Sequence, residues 1–169
     1  MDLTVADAVL FAGVVTAAAT DLRDRRIPNL LTGSLIGLGI VIHIILGAYW
    51  LPIVGILVAF ALHFALFALQ VERPGDGKLM IGVGALAGWS TMLETTLWSF
   101  ILLVPVGLFI LAVRGRLGNL WETLKFAVRK ALRYPVAPPE EQTYMAFAPV
   151  IACATFVARF TDWLYLWGP

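Results

Sequence analysis

The chain has 169 residues, of which 60% are hydrophobic and 14% charged, and its mean hydropathy is +0.88. A soluble domain is about half apolar and a quarter charged, so the composition excludes an ordinary soluble globule and predicts an integral membrane protein. A net charge of +1 offers no basic surplus for nucleic acid, and a lone cysteine, Cys153, excludes an internal disulfide or a CxxC metal site.

Asp2 stands where a secretory signal would carry positive charge, and the first basic residue is Arg23, so the first apolar run is expected to remain as a helix. Runs of roughly 17–25 apolar residues cross ~30 Å of hydrocarbon. They predict six spans, near 3–21, 30–49, 51–70, 77–93, 95–113 and 143–166, with Gly82, Gly84 and Gly88 interrupting the fourth. Tight turns without Lys or Arg are expected at Trp50-Leu51-Pro52 and around Glu94. The predicted fold class is therefore all-α: one polytopic domain over 1–169, six transmembrane helices and no internal repeat.

Eleven of the 12 Lys and Arg residues fall in three connections. Arg23, Arg25 and Arg26 follow span one, Arg73 and Lys78 flank the start of span four, and six more lie between Arg114 and Arg133. The positive-inside rule makes these connections cytoplasmic and puts both termini outside. Within 114–142, Leu117, Leu120, Trp121, Leu124, Val128 and Leu132 recur at helical spacing opposite Lys125, Arg129, Lys130 and Arg133. That pattern predicts an amphipathic helix lying on the anionic inner leaflet between spans five and six, ended by Pro135, Pro138 and Pro139.

Asp21 and Asp76 each stand at the edge of a long apolar run, where an ionisable group is costly and marks a functional site by default. The charge pattern puts both at the same interface. Two such carboxylates can share a proton and activate a water for hydrolysis. Asp21 lies near the end of span one, six residues before Ile27-Pro28-Asn29, where Pro28 stops helix extension and Asn29 is placed to cap the next helix. Asp76 lies between Gly75 and Gly77, with Lys78 two residues on; glycine on both sides permits close backbone approach. Asp24 and Glu72 compete with them, as ordinary solvated charges or as members of the pair, and the residues alone leave this open. Lys78 reads equally as a partner of the second carboxylate, a binder of substrate backbone, or an inner-leaflet anchor.

His43 and His63 stand alone in apolar spans, which suits a packed, hydrogen-bonded histidine better than a metal ligand. Arg159 and Asp162 are three apart near the outer end of the last span and predict a local ion pair. Gly33/Gly37 and Gly84/Gly88 have the small-xxx-small spacing of closely packed helices.

With these motifs in order, the chain resembles the prepilin peptidases, the type IV leader peptidases, which are membrane aspartyl proteases. That family carries an Asp six residues before Ile-Pro-Asn, as Asp21 precedes Ile27-Pro28-Asn29. It also carries Gly-x-Gly-Asp followed by x-Lys, largely matched by Gly75-Asp76-Gly77-Lys78, with Arg73 here in place of the first glycine and Pro74 making the loop stiffer. Ala148-Pro149-Val-Ile-Ala152 resembles the family's closing helix. The resemblance implies catalytic Asp21 and Asp76, with Gly75, Gly77, Lys78, Ile27, Pro28 and Asn29 in supporting or substrate-positioning places, and neither metal nor cofactor. It implies cleavage of pilin-like precursor proteins at the cytoplasmic face of the inner membrane, with membrane lipid and pilus assembly machinery as further partners. The short form, without the paired-cysteine region that accompanies N-methyltransferase activity in longer members, is the expected one. The competing readings are a small transporter that uses the aspartates as cation ligands or proton relays, and a scaffold subunit of a secretion machine.

Overall fold

The structure, a computed structural model, describes residues 4–113 and 146–161. Within them lie five helices: α1 (Val5–Asp24), α2 (Asn29–Ile45), α3 (Trp50–Ala68), α4 (Pro74–Val113) and α5 (Ala148–Thr161). No strand occurs among the described residues. The architecture is all-α as predicted. The amphipathic segment 114–142 lies outside the described residues.

Helix α1 starts in a reciprocal cap: the Thr4 hydroxyl accepts from the Asp7 backbone N–H, and the Asp7 carboxylate accepts from the Thr4 backbone N–H. Ala6, Leu10, Gly13, Val14, Ala17 and Asp21 are buried, one stripe with helical period. Arg25, in the left-handed region at φ 54°, ends the helix. Asp7 also receives Arg159 from α5, with Nε to Oδ1 at 2.5 Å and Nη2 to Oδ2 at 2.9 Å. Asp162, the partner expected for Arg159, lies outside the described residues; the observed partner comes from the far end of the sequence.

Helix α3 presents Pro52, Gly55, Ala59 and His63 as its buried stripe. A Cβ added at Gly55 would overlap the Gly84 carbonyl, and one added at Gly77 would lie 3.3 Å from the His63 Cβ. α3 therefore runs antiparallel to the start of α4, with 55 opposite 84 and 63 opposite 77. A Cβ added at Gly39 of α2 would lie 2.8 Å from the Ala85 backbone. Gly33 and Gly37 face no atom within 4 Å, so the close approach of α2 uses Gly39 and leaves the expected glycine pair open.

The Gly88 backbone, at φ 84° and ψ 173°, is not helical. A continuous helix would carry Thr96 about 28 Å beyond Gly77, at ~1.5 Å per residue. Instead His63 touches Gly77 on one side and hydrogen-bonds Thr96 on the other. α4 is thus two limbs that fold back at Gly88, which rests against Leu51 at the start of α3. The turn expected around Glu94 lies at Gly88, because only a residue without a Cβ accepts this backbone conformation cheaply. Glu94 is 3% exposed, inside the returning limb.

By length and composition α1, α3 and α4 are apolar enough to cross a membrane; α2 and α5 are shorter apolar helices of 17 and 14 residues. This is a membrane protein whose core, around Leu10, Val14, Leu79, Met80, Val83, Met92 and Ile151, lies where α1, α4 and α5 meet.

Candidate active site

Asp21 extends the buried stripe of α1 by one turn beyond Ala17. Asp76 heads the buried stripe of α4 that continues through Leu79, Met80 and Val83. Helical period therefore turns both carboxylates inward, and each residue is only 5% exposed. The two line one cavity of about 300 Å³ at the end of the bundle where α1 ends and α2 and α4 begin. Arg25, Arg26, Ile27, Asn29, Arg73, Gly75 and Lys78 complete its wall, together with Pro74.

The two aspartates are positioned by different structural devices. Asp21 Oδ2 accepts the backbone N–H of Ala148, the first residue of α5, at 3.1 Å. The first N–H groups of a helix have no partner within it, and the helix dipole favours negative charge there. The Ala148-Pro149 segment thereby serves Asp21. Around Asp76, Arg73 accepts the N–H of Gly77 at 3.2 Å, closing the first turn of α4 over the aspartate.

Between the two motifs runs a direct bond. Lys78 Nζ donates to Asn29 Oδ1 at 2.9 Å. Ile27 lies against Gly75, 3.7–3.9 Å from where a Cβ would stand. The structure thus brings Asp21, Ile27, Asn29, Gly75, Asp76 and Lys78 around one cavity. Pro28 and Gly77 are not in its wall. Pro28 is the N-cap of α2, and Gly77 faces His63. Asn29, expected to cap α2, makes no such bond: it is the first helical residue, and its side chain goes to Lys78 instead.

Arg25, Arg26 and Arg73 read in the sequence as inner-leaflet charge, yet they line the cavity. Four basic residues and two acidic ones gather charge in this wall, unlike the apolar surface around it. Asp24 stays outside the wall, 3.8 Å from Arg23, with both side chains largely exposed. Glu72 is no solvated charge: its side chain is 4% exposed, and Oε2 lies 2.6 Å from His63 Nδ1. The spacing of Gly55, Ala59 and His63 was the available signal, since a histidine on a buried stripe requires a polar partner. His43 meets the expectation for a packed histidine, with Nδ1 2.8 Å from the Gly39 carbonyl. Among the described residues no group of three or more His, Cys, Asp or Glu could hold a metal ion.

Such a cavity can hold a water or a peptide carbonyl between two carboxyl groups. That is the arrangement general acid–base hydrolysis requires. No curated protein and no solved structure matches the chain. A family model, that of the type IV leader peptidases, matches residues 8–108, a stretch that contains both aspartates and the whole of the motif between Asp21 and Asn29. The chain belongs to the type IV leader peptidase family, prepilin-type peptidases of the aspartic class.

Proposed function

We propose that this protein is a membrane-embedded aspartyl endopeptidase that removes the leader from pilin-like precursors at the cytoplasmic face of the inner membrane, with Asp21 and Asp76 as its catalytic pair. The observation that carries the reading is the shared cavity: two buried carboxylates from distant parts of the sequence line the same space. One carboxylate takes a proton from water as the water oxygen attacks the scissile carbonyl, while the other, protonated, donates to the carbonyl oxygen. Collapse of the tetrahedral intermediate then breaks the C–N bond; the proton taken from water passes to the leaving amine, and a hydroxyl proton of the intermediate returns to the second carboxylate as the carbonyl reforms. Lys78, Asn29, Ile27 and Gly75 shape the wall against which the substrate backbone lies; Pro28 and Gly77 act through the chain that carries them.

The position of the pair at one end of the bundle also argues against a transporter, whose ion ligands belong near the bilayer midplane. The test is direct: purified protein in detergent is mixed with a pilin precursor, and the mature product is identified by mass. Absence of any cleavage across several precursors would return the chain to the scaffold reading.

A further inference from the structure

Asp76 is flanked by glycine on both sides, and glycine is the residue that leaves a backbone least constrained. Something else has to fix the first turn of α4. A buried polar chain beside the cavity does so. His63 Nδ1 lies 2.6 Å from Glu72 Oε2, a separation that needs a proton between them, and the two side chains are 3% and 4% exposed. His63 Nε2 lies 3.2 Å from the Thr96 hydroxyl, which is itself 2.9 Å from the Met92 carbonyl. The chain thus ties together α3, the turn before α4 and the returning limb of α4.

From Glu72 the restraint passes straight to the aspartate. The next residue, Arg73, supplies the carbonyl that accepts the Gly77 N–H, and Gly77 packs on the His63 side chain. A buried carboxylate separated from its partner is strongly unfavourable, so Glu72 stays where His63 holds it.

We propose that the Glu72–His63–Thr96 chain is a positioning device: it locks the first turn of α4 and so holds the Asp76 carboxyl in register with Asp21. None of the three lines the cavity or touches the reacting atoms. The kinetic half of the idea rests on the peptidase reading above; the structural half stands apart from it.

The test uses the full chain in detergent with a pilin precursor. His63→Ala and Glu72→Ala are expected to lower kcat by roughly 10- to 100-fold with KM changed less than about threefold, since a misplacement of ~1 Å costs that much. Glu72→Gln keeps an acceptor oxygen for the imidazole and is expected to retain kcat within about threefold. Should an alanine variant fail to insert, His63→Phe keeps the ring volume, removes both bonds and is read in the same way.

A second readout needs no activity. Nitroxides at the exposed positions Leu22→Cys and Val71→Cys, with Cys153→Ser, report the spacing between the end of α1 and the turn that leads into α4. The distance distribution is expected to broaden in the alanine variants and to stay narrow in Glu72→Gln. An unchanged distribution in the alanine variants, or a raised KM at constant kcat, overturns the proposal. If the parent protein cleaves nothing, the peptidase reading fails and the label widths still decide this one.

Discussion

Lys78 and Asn29, 49 residues apart in sequence, are joined by a bond of 2.9 Å from the ammonium to the amide oxygen. The bond ties the start of α2 to the first turn of α4. Each of these segments carries half of a motif that the sequence presents separately. Because the pair is exposed, its value is chiefly geometric: it joins the segment that follows Asp21 to the turn that carries Asp76.

Lys78→Met is therefore expected to cut precursor cleavage about tenfold while the protein still inserts, and Asn29→Asp, which offers a charged acceptor to the same ammonium, to keep most of it. Steady-state cleavage of a pilin precursor measures both. Full activity in Lys78→Met would remove the bond from any functional account.

The aspartates themselves carry the sharpest expectation. Asp21→Asn and Asp76→Asn should each lower cleavage by at least ~100-fold, because an amide neither takes a proton from water nor donates one to a carbonyl oxygen as a carboxyl group does. Asp24→Asn should stay near the parent rate, since its exposed pair with Arg23 contributes only ~0–1 kcal/mol. Normal processing by either of the first two variants would refute the catalytic assignment.

Orientation is open to chemical labelling. Tyr49 and Trp89 are exposed at the end of the bundle away from the aspartates, and Gln70 is exposed near them. Cysteines at 49 and 89 should react with an impermeant reagent added outside intact cells, and a cysteine at 70 only after the inner face is opened. The opposite pattern would put the cavity outside and end the leader-peptidase reading.

Packing gives a stability test. Gly55→Ala and Gly84→Ala each force a methyl group into the facing backbone and should destabilise the protein by ~1–3 kcal/mol, seen as a lower unfolding temperature in detergent. Gly33→Ala and Gly37→Ala meet open space inside a helix and should leave the protein as stable as the parent or more so, by up to about 1 kcal/mol. Equal losses at all four positions would contradict the α3–α4 contact.

Much of the site was legible in the chain because it is written in local spacing. Asp21 before Ile27-Pro28-Asn29, and Asp76 between two glycines and before Lys78, are patterns within nine residues, and charge alone suggested that they share a side. Helical period likewise marks the stripe that turns Asp21 inward. The all-α class followed from hydropathy, which depends on composition and not on partners.

What only the tertiary structure decided are the contacts between segments far apart in sequence. Nothing local distinguishes Glu72 from a solvated carboxylate; its burial against His63 exists because α3 and the two limbs of α4 converge there. Spacing along the chain suggested Asp162 for Arg159, yet Asp7 lies across the bundle with a fork-shaped fit to the guanidinium. The fold-back was expected around Glu94 and lies at Gly88; its position was hidden because hydropathy runs on unbroken through a residue whose significance is its backbone angle. Spacing along the chain determines which face a residue shows; which other face it meets is set by packing, and packing is not a local property.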